Sequence, residues 1–192
     1  MGSAAEDRAE AARLPEGDVV RILLEQHARI RELFAEVTTA SGDAREGVFH
    51  ELRVLLAVHE TAEEMVLRPV SGEFADEVAA ARNQEEADAT EALAELEKLD
   101  LGSPEFLTRI AALRESVIRH AEAEEHEEFP LVLAHCDDAM RQRLGKQVLA
   151  AESLAPTHPH PTVAGHTGAQ FAAGPFLAML DRAKDAFRRT TD

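Results

Sequence analysis

Two stretches decide the reading of this chain: HETAEEMVLRP at residues 59–69 and HAEAEEHEEFP at residues 120–130. Each is a histidine, three residues, a Glu-Glu pair, and a proline ten residues after the histidine. They stand 61 residues apart, the mark of a duplicated helical hairpin. A spacing of four turns an α-helix through about 400°, so His59 and Glu63 share one face one turn apart, as do His120 and Glu124. Two such pairs on facing helices are suited to holding two metal ions, with the carboxylates bridging.

Outward from these pairs, the apolar residues fall at helical spacing. A first helix starts after Asp18, a good N-cap, and carries Val19, Val20, Leu23, Leu24, Ile30, Leu33, Phe34 and Val37. Ser41-Gly42-Asp43 breaks it. A second helix carries Phe49, Leu52, Leu55, Leu56, Val66 and Leu67 and stops between Pro69 and Gly72, and a third runs from about 76 to 99. Ser103 as N-cap with Pro104 at the first helical position opens a fourth, carrying Phe106, Ile110, Leu113, Val117 and Leu131. Four amphipathic helices on short loops predict an all-α fold, an antiparallel up-down-up-down four-helix bundle over 18–135. Residues 1–17 read as a flexible, frayed leader. Residues 136–192 read as a helical extension with a helix near 137–151, a Pro/His-containing irregular arm over 154–175 and a last amphipathic helix at 176–189.

The informative residues are polar ones on the apolar stripes. His27 lies between Leu23 and Ile30, His59 continues Leu52 and Leu55, and His120 continues Ile110, Leu113 and Val117. Buried carboxylates without a partner are very costly. The stripes offer no Lys or Arg at these inward positions, so metal ions are the expected counter-charge. His27 stands 32 residues before His59 and Glu86 stands 34 before His120, which makes Glu86 the counterpart of His27; Glu85 is close enough in angle to compete. Glu60, Glu64, Glu125, Glu127 and Glu128 read as a solvated face, with Glu64 or Glu125 available to hold a histidine ring. His50, His126 and His135 fall off the register and read as surface residues.

Composition narrows the functions. The 192 residues carry 20 Lys plus Arg against 37 Asp plus Glu, a formal charge of −17, which leaves no basic stripe for nucleic acid or anionic lipid. No apolar run reaches the roughly 20 residues a membrane span needs, and residues 1–18 lack the apolar segment of a secretory signal, so the expected location is cytoplasmic. Trp and Tyr are absent and the one cysteine, Cys136, builds no internal disulfide. HETAE lacks the second histidine of HExxH, and the Glu-x-x-His order of ferritin-type centres is missing, with Leu56 and Val117 three residues before the histidines.

With the doubled His-x-x-x-Glu-Glu…Pro element on roughly residues 18–135, the sequence resembles the hemerythrin-like HHE cation-binding family. That resemblance implies a four-helix bundle holding two iron ions in a non-haem centre. His27, His59, Glu63, His120 and Glu124 match its expected ligands. The family's third helix normally adds one or two histidines, whereas here Glu86 stands in that place. A set of three histidines and three carboxylates is harder and more anionic than that of the oxygen carriers. It favours ferric iron and a lower potential, away from reversible O2 carriage. The resemblance implies a protein that binds or reacts with a small oxidant (O2, H2O2 or NO), in peroxide removal or oxidation. The alternative is a non-catalytic iron or oxygen sensor. His158, His160 and His166 in the arm read as linker residues.

Overall fold

The structure is a computed structural model that describes residues 2–155. The arm from residue 156 on, its three histidines and the helix expected at 176–189 lie outside the described residues. Among the described residues there is helix and no strand. The bundle is built from α2 (Val19–Thr39), α3 (Gly42–Ala62), α5 (Asp76–Leu96) and α6 (Pro104–Ala123), preceded by α1 (Ala4–Ala11). Each of α3 and α6 runs into one π-helical turn, Glu63–Leu67 and Glu124–Glu128, and then resumes as α4 (Arg68–Gly72) and α7 (Phe129–His135). A final helix, α8 (Asp138–Leu154), packs on α2, α3 and the first π turn. Neighbours run antiparallel round the bundle, with α2 between α3 and α6 and α5 closing the other side.

The start signals act as the sequence predicts. Asp18 accepts a hydrogen bond from the Val20 N–H at 3.0 Å, and Ser103 accepts from the Phe106 N–H at 3.1 Å. Ser41 holds the N-cap position of α3 without a side-chain capping bond.

Residues 4–11 correct the expectation of a frayed leader. Ser3 and Glu6 form a reciprocal capping box, Ala11 joins the apolar core, and Asp7 is buried against α2, where Arg31 Nε donates to its Oδ2 at 2.7 Å. A buried ion pair and an apolar contact order a segment whose composition alone reads as solvated.

The apolar core comes in two clusters. One, around Leu33, Phe34, Leu52, Leu93, Phe106 and Ile110, fills the loop end of the bundle. The other gathers Val20, Leu23, Leu67, Phe129, Val132 and Val148 beneath α8. Cys136, expected beyond the bundle, is buried in this second cluster. The inward polar residues lie between the two: His27 separates Leu24 from Ile30, and His59 separates Leu56 from Ala62. A tight contact fixes α8, since a Cβ on Gly145 would stand 2.1 Å from the Gly17 carbonyl oxygen.

Candidate metal centre

The six residues singled out on the stripes converge in the layer between the clusters. Ligand atoms of His27, His59, Glu63 and Glu124 lie within 4.8 Å of one another, and so do those of Glu63, Glu86, His120 and Glu124. Glu63 and Glu124 belong to both groups. His27 Nε2 is 3.2 Å from Glu124 Oε2, His59 Nε2 is 3.4 Å from Glu63 Oε2, and His120 Nε2 is 3.3 Å from Glu124 Oε1. All six side chains are buried, with Glu63 and Glu124 wholly so.

Each imidazole is tied back at Nδ1. His59 donates to Gln26 Oε1 at 2.7 Å, and Gln26 in turn donates to Glu152 of α8 at 2.6 Å. His120 is bonded to Glu85 Oε2 at 2.9 Å, with Arg82 3.2 Å from the other oxygen of Glu85. His27 is bonded to Glu125 Oε1 at 2.8 Å; Arg31 donates to that same oxygen at 3.0 Å and reaches Asp7 with its Nε. Because every partner is an oxygen, Nδ1 carries a proton in each ring and Nε2 faces the carboxylates, the atom a metal would take once it is free of a proton. This separates the two glutamates the sequence left in competition: Glu86 enters the cluster and Glu85 holds the ring of His120.

Several residues escaped the sequence reading. Arg68 is a buried cation inside the cluster, contrary to the expectation that no Lys or Arg shares these positions. Its Nη2 contacts Glu86 and Glu124 and lies 3.5 Å from Glu63 Oε2, while Nη1 donates to Glu128 Oε2 at 2.5 Å. On an uninterrupted α-helix the five residues from Glu63 to Arg68 turn about 500°, placing Arg68 roughly 140° off the site. The π turn changes the period. The Arg68 N–H bonds the Glu63 carbonyl five residues back, and Arg68 stands above Glu63; in the second copy the Phe129 N–H bonds the Glu124 carbonyl in the same way.

Glu128, read as solvated, is fully buried; four residues after Glu124, it shares that residue's face. Glu60 and Glu64 are buried as well, with Glu60 accepting from Thr90 Oγ1 at 3.0 Å. Glu125, weighed as a ring holder, is one, and Glu127 stays at the surface. His126 and His135 are exposed, as read; His50 is half-buried and bonds Arg53.

Burial and charge set the protonation of the cluster. Burial pushes Glu63 and Glu86 well above the usual carboxylate range, and it raises Glu60 to about 8. Glu124 is held well below that range in spite of its burial, because His120 and Arg68 face it. Burial together with the neighbouring His27 keeps His59 neutral, whereas the carboxylates around His120 outweigh its burial and hold it well above the ordinary imidazole value.

The donors present suit a cation. Four carboxylates, Glu63, Glu86, Glu124 and Glu128, face one guanidinium, Arg68. Both oxygens of Glu63, Oε2 of Glu86 and of Glu124, and Nε2 of His27 and of His120 are buried with no hydrogen-bond partner. Orphaned lone pairs of this kind, converging in two overlapping sets, match the imidazole–carboxylate coordination of iron, manganese or zinc. A small cavity is lined by Ile30, Leu56, Val117 and Ile118, by His27, His59 and His120, and by Arg31 and Glu60.

Comparison with known proteins points to one family and one fold. The model of the hemerythrin HHE cation-binding domain matches residues 18–132. An uncharacterized hemerythrin-like protein of Schizosaccharomyces pombe is 25% identical over 138 residues, covering 70% of this chain and 68% of that one. The crystal structure of a hemerythrin HHE cation-binding domain-containing protein from Mycobacterium kansasii superposes with a TM-score of 0.62 at 21% identity, over 69% of this chain and 83% of the other.

Proposed function

The chain belongs to the hemerythrin HHE cation-binding domain family, and from that premise we propose that it is a non-haem iron protein whose centre takes two iron ions side by side and meets a small oxidant: O2, peroxide or nitric oxide. The supporting observation is the pair Glu63 and Glu124, wholly buried and shared by both donor groups. His27 and His59 with these two glutamates would hold one ion, and Glu86 and His120 with the same two would hold the other. When bound, iron supplies one-electron redox steps and an open position for a small ligand.

The chain's own residues do the rest. The Nδ1 bonds to Gln26, Glu85 and Glu125 fix the ring orientations, so that no rearrangement is needed for Nε2 to act as a ligand. Ile30, Leu56, Val117 and Ile118 line a cavity beside the histidines together with Arg31 and Glu60, and its small size favours a small molecule. Glu86, anionic where the family carries a histidine, favours the higher oxidation state and moves the reading toward oxidant consumption rather than reversible carriage.

Anaerobic loading of purified protein with Fe(II), elemental analysis and a peroxide-consumption assay test this. The expected result is up to two irons per chain and many peroxide turnovers per site. Failure to retain iron contradicts the proposal. Iron retained without turnover, with loss of fold on chelation, would replace the oxidant-consuming reading by an iron sensor.

A further inference from the structure

The duplication that builds the centre is broken on one side only. Shifted by 61 residues, His59, Glu63 and Glu64 have identical counterparts in His120, Glu124 and Glu125, but Arg68 corresponds to Phe129 and Leu67 to Glu128. Phe129 stacks on His27 with ring centroids 5.6 Å apart and closes that half with an apolar face. Leu67 is a core residue of the second apolar cluster. In the other half, Arg68 Nη2 lies among Glu86, Glu124 and Glu63, the carboxylates that offer ligand atoms there, and its Nη1 is anchored on Glu128. Glu86, where the counterpart is His27, adds a carboxyl group to this half alone. The three departures therefore belong together: an extra carboxylate, a guanidinium against it, and a second carboxylate that holds the guanidinium.

We infer that Arg68 is a built-in counter-cation that makes the two metal positions unequal. The His27–His59–Glu63–Glu124 position fills first, and an ion enters the Glu86–His120 position only by displacing the guanidinium from Glu86 and Glu124 onto Glu128. The inference rests on the metal-binding reading above. A guanidinium and a metal ion compete for the same carboxylate oxygens, because both need them as the sole source of negative charge in a region closed to water. Arg68 touches the first position only through the shared Glu63 and Glu124, and its third carboxylate contact there, Glu86, belongs to the second position alone; Phe129, which stands opposite, offers neither charge nor hydrogen bond. Glu128 gives the displaced guanidinium a partner, so Arg68 need not be left buried and unpaired when the second ion binds.

Equilibrium dialysis of metal-free protein against Fe(II) under argon reads both affinities directly, with no need for turnover. The wild-type chain should bind one Fe(II) at least tenfold more tightly than the second. Arg68→Phe/Glu128→Leu copies the residues of the other half and removes one positive and one negative charge together. It should narrow the gap to threefold or less by strengthening the second site. Arg68→Lys, which keeps the charge in a smaller head group, covers the case in which the double variant does not fold and should give an intermediate gap. Two equal sites in the wild-type chain, or a tenfold gap that persists in the folded variants, would overturn the inference while leaving the metal centre standing. A wild-type chain that takes up no Fe(II) at all would overturn the metal-binding reading and this inference with it.

Discussion

The two halves of the centre start from nearly the same sequence element and end with different chemistry. In the half around His27, two imidazoles meet the shared glutamates, one of them backed by the flat face of Phe129 and the other tied to Gln26. In the half around Glu86, one imidazole and an additional carboxylate meet the same glutamates, with Arg68 and Glu128 packed against them and Glu85 holding the ring. The π turns are common to both, and each lifts the residue five positions on from a shared glutamate to the level of the site. The scaffold duplicates; the residues it lifts do not. One backbone device thus delivers an apolar wall to one half and a cation to the other.

The largest effect should come from the residues common to both halves. Glu63→Gln keeps the volume and removes a charge both positions need, so metal content should fall at both, by about 100-fold or more in affinity. The metal-free variant should melt close to the metal-free wild-type chain, because burial already holds the Glu63 carboxyl well above the usual carboxylate range and the amide replaces a group that is neutral without metal. The contrast matters: a variant that loses apo stability along with metal would show that Glu63 also has a structural role. Thermal melts with and without metal measure both at once. For the wild-type chain, metal at 100 times its dissociation constant should stabilise by about 2.7 kcal/mol.

Next come the ring holders, which test whether the halves are independent. Glu85→Ala frees His120 and should weaken the Glu86 position by roughly 10- to 100-fold while sparing the other, and Gln26→Ala should do the reverse through His59. Glu85→Gln retains an acceptor oxygen and should cost less than the alanine. Metal titrations that show both positions weakened equally by either alanine would mean that the halves are coupled through the shared glutamates.

Most of the bundle was legible in the sequence because its cues are local. Asp18, Ser103 and Pro104 start helices where they stand, and every apolar residue read on the stripe from Val19 to Val37 is buried on α2, which also buries Ala28 and Arg31. Five of the inward candidates, His27, His59, Glu63, His120 and Glu124, were legible for the same reason, lying at helical spacing up to the first residue of each π turn. What was missed lies beyond those turns or depends on distant segments. Arg68 sits where an extended α-helical period points the wrong way, and the proline next to it reads as an end rather than as a change of period; Glu128, four residues after Glu124, lies on the right face but is hidden in a run of glutamates. The order of α1 rests on Asp7 meeting Arg31 from 24 residues away, which no local pattern encodes. The choice between Glu85 and Glu86 needed the position of His120, 35 residues beyond Glu85.

Smaller effects follow at the supports of the His27 half. Gly145→Ala would drive a methyl group into the Gly17 carbonyl and push α8 off the bundle. A loss of about 1–3 kcal/mol is expected, together with weaker metal retention at the His27 position through the Glu152–Gln26–His59 chain. Denaturant melts and metal analysis would check this. The smallest effect concerns Cys136, whose thiol is buried and pushed above its ordinary pKa by that burial. It should alkylate slowly in the folded chain and faster in Gly145→Ala, in proportion to the opening of α8; identical alkylation rates would detach Cys136 from that movement.

The most direct test of the asymmetric centre is a crystal structure of the iron-loaded protein with anomalous data at the iron edge. Under limiting iron, the account predicts one strong peak among His27, His59, Glu63 and Glu124. At saturation a second peak is expected between Glu86 and His120, with Arg68 turned toward Glu128. Two peaks of equal height at limiting iron, or no peak between α3 and α6 at saturation, would contradict it.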